Sequence, residues 1–204
     1  MNVKFTPNKK AILILTIIIL IVVIVLATNQ EKTKELTMKA VNYIKEKTWD
    51  IVTDRRINTL HPLVREKAKI FILKAEKELG IKLRVVQALR SWQEQADLYN
   101  KGRTEESKAK KEKIVTNAKA GDSYHNYGLA IDVVEIKDGK ALWTNPNWSK
   151  IARLGKSLGF EWGGDWKSFK DKPHFQFTFG RKIADLKKLY QSGQKDGEYV
   201  RLAA

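Results

Sequence analysis

The stretch LAIDVVEI, Leu129–Ile136, constrains this chain more than any other. Its β-branched, alternating pattern predicts a strand, yet an acid, Asp132, stands in the apolar interior of that strand. A carboxylate among apolar neighbours costs several kcal/mol unless a partner cancels its charge. Seven residues earlier comes His125, one of only 3 histidines, in the turn SYHNYG, where Gly128 allows the backbone a tight approach.

A second strand pattern, PHFQFTF (173–179), bears on the same question. Alternation puts Phe175, Phe177 and Phe179 on one face, predicted to be core, and His174, Gln176 and Thr178 on the other, facing a cleft. Two imidazoles and one carboxylate on neighbouring strands and a loop form the ligand set of a catalytic zinc with an open fourth position. Zinc would neutralise Asp132. The competing reading makes each histidine a hydrogen-bonded core residue, and spacing alone leaves both open. The chain has 0 cysteines, so disulfides and thiolate metal sites are excluded and any metal must be held by His and carboxylates. Asp171, three residues before His174 and stiffened by Pro173, is either a general base beside the metal or a turn cap. His61, in TLHPLV, reads as a structural residue at a helix start.

Elsewhere the pattern predicts α+β architecture, with helices packed on a small antiparallel sheet. Pro62 opens an amphipathic helix with Val64, Ala68, Phe71, Ile72, Ala75 and Leu79 on its apolar face, capped by Gly80. IKLRVVQAL (81–89) reads as a strand. Ser91 and Glu94 form a capping box that starts a helix ending near Gly102, which leaves Arg90 at a strand-to-helix corner facing a cleft. Residues 103–120 read as a solvated, Lys-rich loop. KDGK is a tight turn after the Asp132 strand, Trp148–Leu158 and Arg181–Gln191 are helices, FEWGGDW is a loop, and SGQKDGE is a polar tail.

The N-terminal residues are of another kind. Ala11–Ala27 is an apolar run without a charge. As a helix it reaches about 25 Å, the short end of what spans a bilayer. It is either an uncleaved membrane anchor, a cleaved secretion signal ending at Val25-Leu26-Ala27, or a buried helix. We read 1–27 as anchor or signal, 28–57 as a linker or stalk, and 58–204 as the folded domain. Lys4, Lys9 and Lys10 favour a cytoplasmic N-terminus, but five lysines between 32 and 47 leave the basic-residue count undecided. The net charge of +16 draws the protein towards anionic polymers. The apolar run argues against nucleic acid among them.

SYHNYGLAID followed by DKPHF resembles the zinc-dependent peptidoglycan peptidases, which comprise D-alanyl-D-alanine carboxypeptidases and dipeptidases and L-alanyl-D-glutamate endopeptidases. The similarity runs from about Asn58 to Thr178, through TLHPLV, RSWQEQADLYNKGRT, IVTNA and WGGDWKSFKDKPHFQ, and is nearest the L-alanyl-D-glutamate branch. The resemblance implies one zinc on His125, Asp132 and His174, with Asp171 as general base and Arg90 stabilising the oxyanion. Ser123 and Gln95 match motif positions, Ser123 as shaping the ligand turn and Gln95 as a substrate contact. Trp162 and Trp166 are expected to wall the cleft. Residues 104–113 are longer and more basic than the family pattern. The resemblance further implies a peptidoglycan stem peptide as substrate and a catalytic domain outside the bacterial membrane, tethered by its N-terminal helix or secreted to the wall; a monomer is expected, with nothing in the sequence deciding the oligomeric state.

Overall fold

The computed structural model describes residues 17, 20, 29–34 and 47–202. The proposed anchor therefore lies almost wholly outside the described residues. Among the described residues no helix is long and apolar enough to cross a membrane.

Thr48–Ala204 forms one compact unit. It opens with a strap and a helix, α1 (Ile51–Asn58), in the part expected to be stalk, so the boundary expected at 58 falls inside the folded unit. The reason is polar clamping onto the first strand. Asp50 caps α1 by accepting from the Thr53 backbone N–H and pairs both carboxylate oxygens with Arg84, at 2.9 and 3.0 Å. The Trp49 indole donates to the Leu83 carbonyl, and Arg56 donates to that of Val85.

Helix α2 (Pro62–Leu79) begins and ends as its sequence predicts, with Pro62 in the first turn and Gly80 in the left-handed conformation. His61 caps it through Nδ1, which accepts from Leu63 N–H, while Nε2 bonds the Val200 carbonyl. It is structural, as expected. Strand β1 (Leu83–Gln87), α3 (Trp92–Asn100) and its capping box follow. A short helix, α4 (Glu105–Ala109), interrupts the segment expected to be loop, capped by Thr104. Strands β2 (Ala130–Lys137) and β3 (Lys140–Leu142) form a hairpin through Asp138-Gly139, both at positive φ. Helix α5 (Trp148–Ser157), β4 (Glu161–Trp162), β5 (His174–Gln176) and α6 (Ile183–Gln191) complete the main body.

The sheet is antiparallel throughout, in the order β1-β2-β5-β4 with β3 beside β2. Phe71 of α2 and Phe175 of β5 are fully buried, ring centroids 4.9 Å apart, and tie helix to sheet. Burial of each such side chain contributes about 1.5–3 kcal/mol. The aromatic face of the last long strand is shorter than its alternation predicts. Strand pairing stops at Gln176, and Phe179 is 37% exposed at φ 51°. The segment read as a polar tail holds β6 (Lys195–Asp196), which pairs in a small hairpin with β7 (Tyr199–Val200) just beyond it, and Val200 is buried in the core.

Candidate metal centre

Strand register brings the three expected ligands together. Asp132 of β2 is the direct cross-strand partner of His174 of β5. His125 arrives from a single 3-10 turn, Tyr124–Tyr127, whose cap Ser123 accepts from the His125 backbone N–H. The turn ends at Gly128, at φ +67°, where an added Cβ would stand 2.6 Å from the His61 nitrogen. No other residue fits there without moving the entry to β2.

Three donor atoms converge. His125 Nε2 lies 3.2 Å from Asp132 Oδ1 and 3.2 Å from His174 Nδ1, and His174 Nδ1 lies 3.1 Å from Asp132 Oδ1. Donors at about 2.0–2.1 Å from a tetrahedral ion stand about 3.3 Å from one another, so this triangle fits zinc. Two neutral imidazoles and a carboxylate also make the donor set of a zinc that keeps one position for water. His125 is oriented by the Ala88 carbonyl, 2.8 Å from Nδ1. A carbonyl only accepts, so Nδ1 carries the proton and Nε2 presents its lone pair.

The electrostatics separate the two acids. Burial pushes the Asp132 carboxyl up, but the His125 and His174 rings overcome it and hold the group well below the usual carboxylate range. Burial, and next the charge of Asp132, push the Asp171 carboxyl above it. One acid stays ionised and holds the centre, while the other is tuned towards proton exchange.

Asp171 is set by backbone: its N–H donates to the Gly163 carbonyl, and its own carbonyl accepts from His174 N–H. Gly163 has a further role that the sequence reading missed. A Cβ there would meet the Asp171 carbonyl oxygen at 2.5 Å and His174 Cβ at 3.0 Å, so only glycine lets the loop lie against the Asp171–His174 turn.

Arg90 sits at the strand-to-helix corner as expected, with Nη2 3.7 Å from Asp132 Oδ2 and Nη1 donating to Gln95 Oε1 at 2.9 Å. Burial lowers its pKa and Asp132 opposes the shift. Gln95 corrects the expectation of a substrate contact. It is fully buried, and its amide spans Arg90 and the Ala118 carbonyl, fixing the guanidinium from behind.

A cavity of about 580 Å³ opens over these groups, lined by Arg90, Ser123, His125, Asp132, Asp171 and His174 together with apolar rim residues. Trp166 walls it, ring centroid 5.0 Å from that of His174. Trp162 does not. Its ring lies against Gly164 and Phe175 and its indole N–H is bound to the Lys172 carbonyl. Val115, Thr116, Asn117 and Phe169 also line the cavity and were not singled out from sequence, because nothing in their local pattern marks a rim.

Residues 116–177 match the family described as D-alanyl-D-alanine carboxypeptidase. The chain is 45% identical over 127 residues to the peptidoglycan L-alanyl-D-glutamate endopeptidase CwlK of Bacillus subtilis, covering 57% of this chain and 72% of that protein. It is 33% identical over 103 residues to the L-alanyl-D-glutamate peptidase of a Listeria phage, covering 49% of this chain and 32% of that one. The solved structure of the Serratia marcescens L-Ala D-Glu endopeptidase ChiX aligns with a TM-score of 0.45 at 26% identity, over 68% of this chain and 96% of that one. With the ligand triangle and the family motif on the same residues, the chain belongs to the zinc-dependent peptidoglycan peptidases.

Proposed function

We propose that this enzyme hydrolyses the L-alanyl-D-glutamate bond of the peptidoglycan stem peptide. The observation that carries the choice of bond is the 45% identity to a Bacillus subtilis endopeptidase of that specificity. The site geometry supplies the means.

His125, Asp132 and His174 would hold the zinc, which when bound would supply an acidified water, pKa about 7, and Lewis-acid polarisation of the scissile carbonyl. Asp171 takes the proton of the attacking water and returns it to the leaving amine of D-glutamate. Its raised pKa suits both halves of that task. Arg90, held by Gln95 and Asp132, presents its guanidinium to the negative charge that develops on the alanyl carbonyl oxygen. Trp166 and Phe169 flank the peptide on the loop that also carries Asp171. With residues 11–27 as the anchor, this domain works outside the membrane, against the wall.

Digestion of purified stem peptide tests the reading. The expected product carries a new amino terminus on D-glutamate, or on its amidated form. Release of D-alanine alone would instead assign the chain to carboxypeptidase chemistry.

A further inference from the structure

We propose that Gln176 and Glu161 are positioning residues for the metal centre: they dictate which nitrogen of His174 carries the proton, and so aim its Nδ1 lone pair at the ion. The inference rests on the ligand set above and not on which wall bond is cut.

The two histidines are oriented by different means. His125 is fixed by the main-chain carbonyl of Ala88, which can only accept. His174 Nε2 instead faces the side-chain amide of Gln176, 3.0 Å from Oε1. An amide can present either its oxygen or its nitrogen, so by itself it does not select a tautomer. The selection comes from Glu161, the cross-strand partner of Gln176 in the β4–β5 pair. Its Oε2 accepts from Gln176 Nε2 at 2.8 Å and its Oε1 accepts from the Thr178 hydroxyl at 2.7 Å. An ionised carboxylate has no proton to give. The Gln176 nitrogen must therefore face Glu161, its oxygen must face His174, and the His174 proton must sit on Nε2. This arrangement satisfies Gln176, Glu161 and Thr178 together, and it aims the Nδ1 lone pair at the point shared with His125 Nε2 and Asp132 Oδ1, 3.2 and 3.1 Å away, where the ion would bind. The relay runs from the buried His174 and Gln176 to the exposed Glu161.

Glu161→Gln removes the acceptor-only group: with the Thr178 hydroxyl donating to the new amide's oxygen, as it does to the carboxylate, an N–H faces the Gln176 amide. Gln176 then gains by turning its nitrogen to His174, which shifts the ring proton to Nδ1 and opposes metal binding. Adding Gln176→Glu reverses the relay: the new carboxylate accepts from both His174 and the residue at 161, and the working tautomer returns.

The test uses the full chain, loaded with zinc for spectroscopy and stripped of metal by a chelator for the affinity and melting measurements. Long-range ¹H–¹⁵N spectra of the zinc-loaded protein, in which the ion and not a proton lies between His174 Nδ1 and Asp132, should show His174 protonated on Nε2 and His125 on Nδ1. A His174 proton on Nδ1 overturns the proposal, whatever the variants do. Zinc affinity, measured by competition with a chelator, should fall about 10–100-fold in Glu161→Gln. The melting temperature of the metal-free protein should hold, and Glu161→Gln/Gln176→Glu should recover most of the affinity. Unchanged affinity in the single variant, or no recovery in the double, refutes it. If the single variant does not fold, the native spectrum and the double variant decide. Stem-peptide specificity is untouched by any of these results.

Discussion

The floor and the rim of the active cavity are built in opposite ways. The floor is sheet and tight turn: His125 and His174 are buried, and each imidazole N–H turned from the centre has a defined acceptor. The rim is loop. Val115 and Phe169 are 48% exposed, and Phe169 is held at φ 52°, a backbone conformation that costs a bulky residue about 1 kcal/mol or more. Chemistry needs donors placed to a few tenths of an ångström, which cross-strand pairing supplies. Substrate selection tolerates adaptable surfaces, and loops supply those.

Breaking the floor should cost most. His125→Ala or Asp132→Ala should abolish zinc retention and wall hydrolysis together, and chelation of the native enzyme should do the same until zinc is returned. Asp171→Asn should lower kcat by about 10²–10⁴-fold while zinc content, measured by atomic emission, stays at one per chain. In the native enzyme the working form of Asp171 is the carboxylate. Because its pKa is raised, activity should fall with decreasing pH already above the usual carboxylate range. That limb should vanish from the residual activity of the variant. Gly163→Ala, which drives a methyl into the turn joining base and ligand, should reduce kcat about 10²-fold with zinc still bound.

Two further changes sharpen the contrast. Asp50→Ala removes both the α1 cap and the Arg84 pair, far from the rim, and should cost about 1–3 kcal/mol in denaturant unfolding with KM unaltered. Phe169→Gly should have the smallest effect: KM rises a few-fold, and stability rises by about 1 kcal/mol as the backbone strain is relieved. A large loss of kcat in that variant would erase the distinction between floor and rim.

The sequence carried the floor more fully than the rim for the same physical reason. Period-2 alternation assigned His174, Gln176 and Thr178 to one face, and the cost of an uncompensated charge singled out Asp132. Both are local rules with strong energetic consequences. The role of Glu161 was hidden because a two-residue strand has too little length to show alternation, and the segment read as a loop. Gly163 matters through an approach of two segments that no local pattern encodes. Gln95 matched a motif, but a motif match does not say whether a side chain meets substrate or supports one that does. Phe179 and the hairpin at 195–200 failed for a related reason: strand pairing is decided by partners distant in sequence.

Catalysis depends on one ion held by Asp132 and two oppositely tautomeric histidines. Anomalous scattering at the zinc edge, from crystals of the purified enzyme, tests it most directly. The predicted map has a single peak about 2.0–2.1 Å from His125 Nε2, His174 Nδ1 and Asp132 Oδ1. No peak among these atoms, or a peak bound through the opposite nitrogen of either ring, would contradict it.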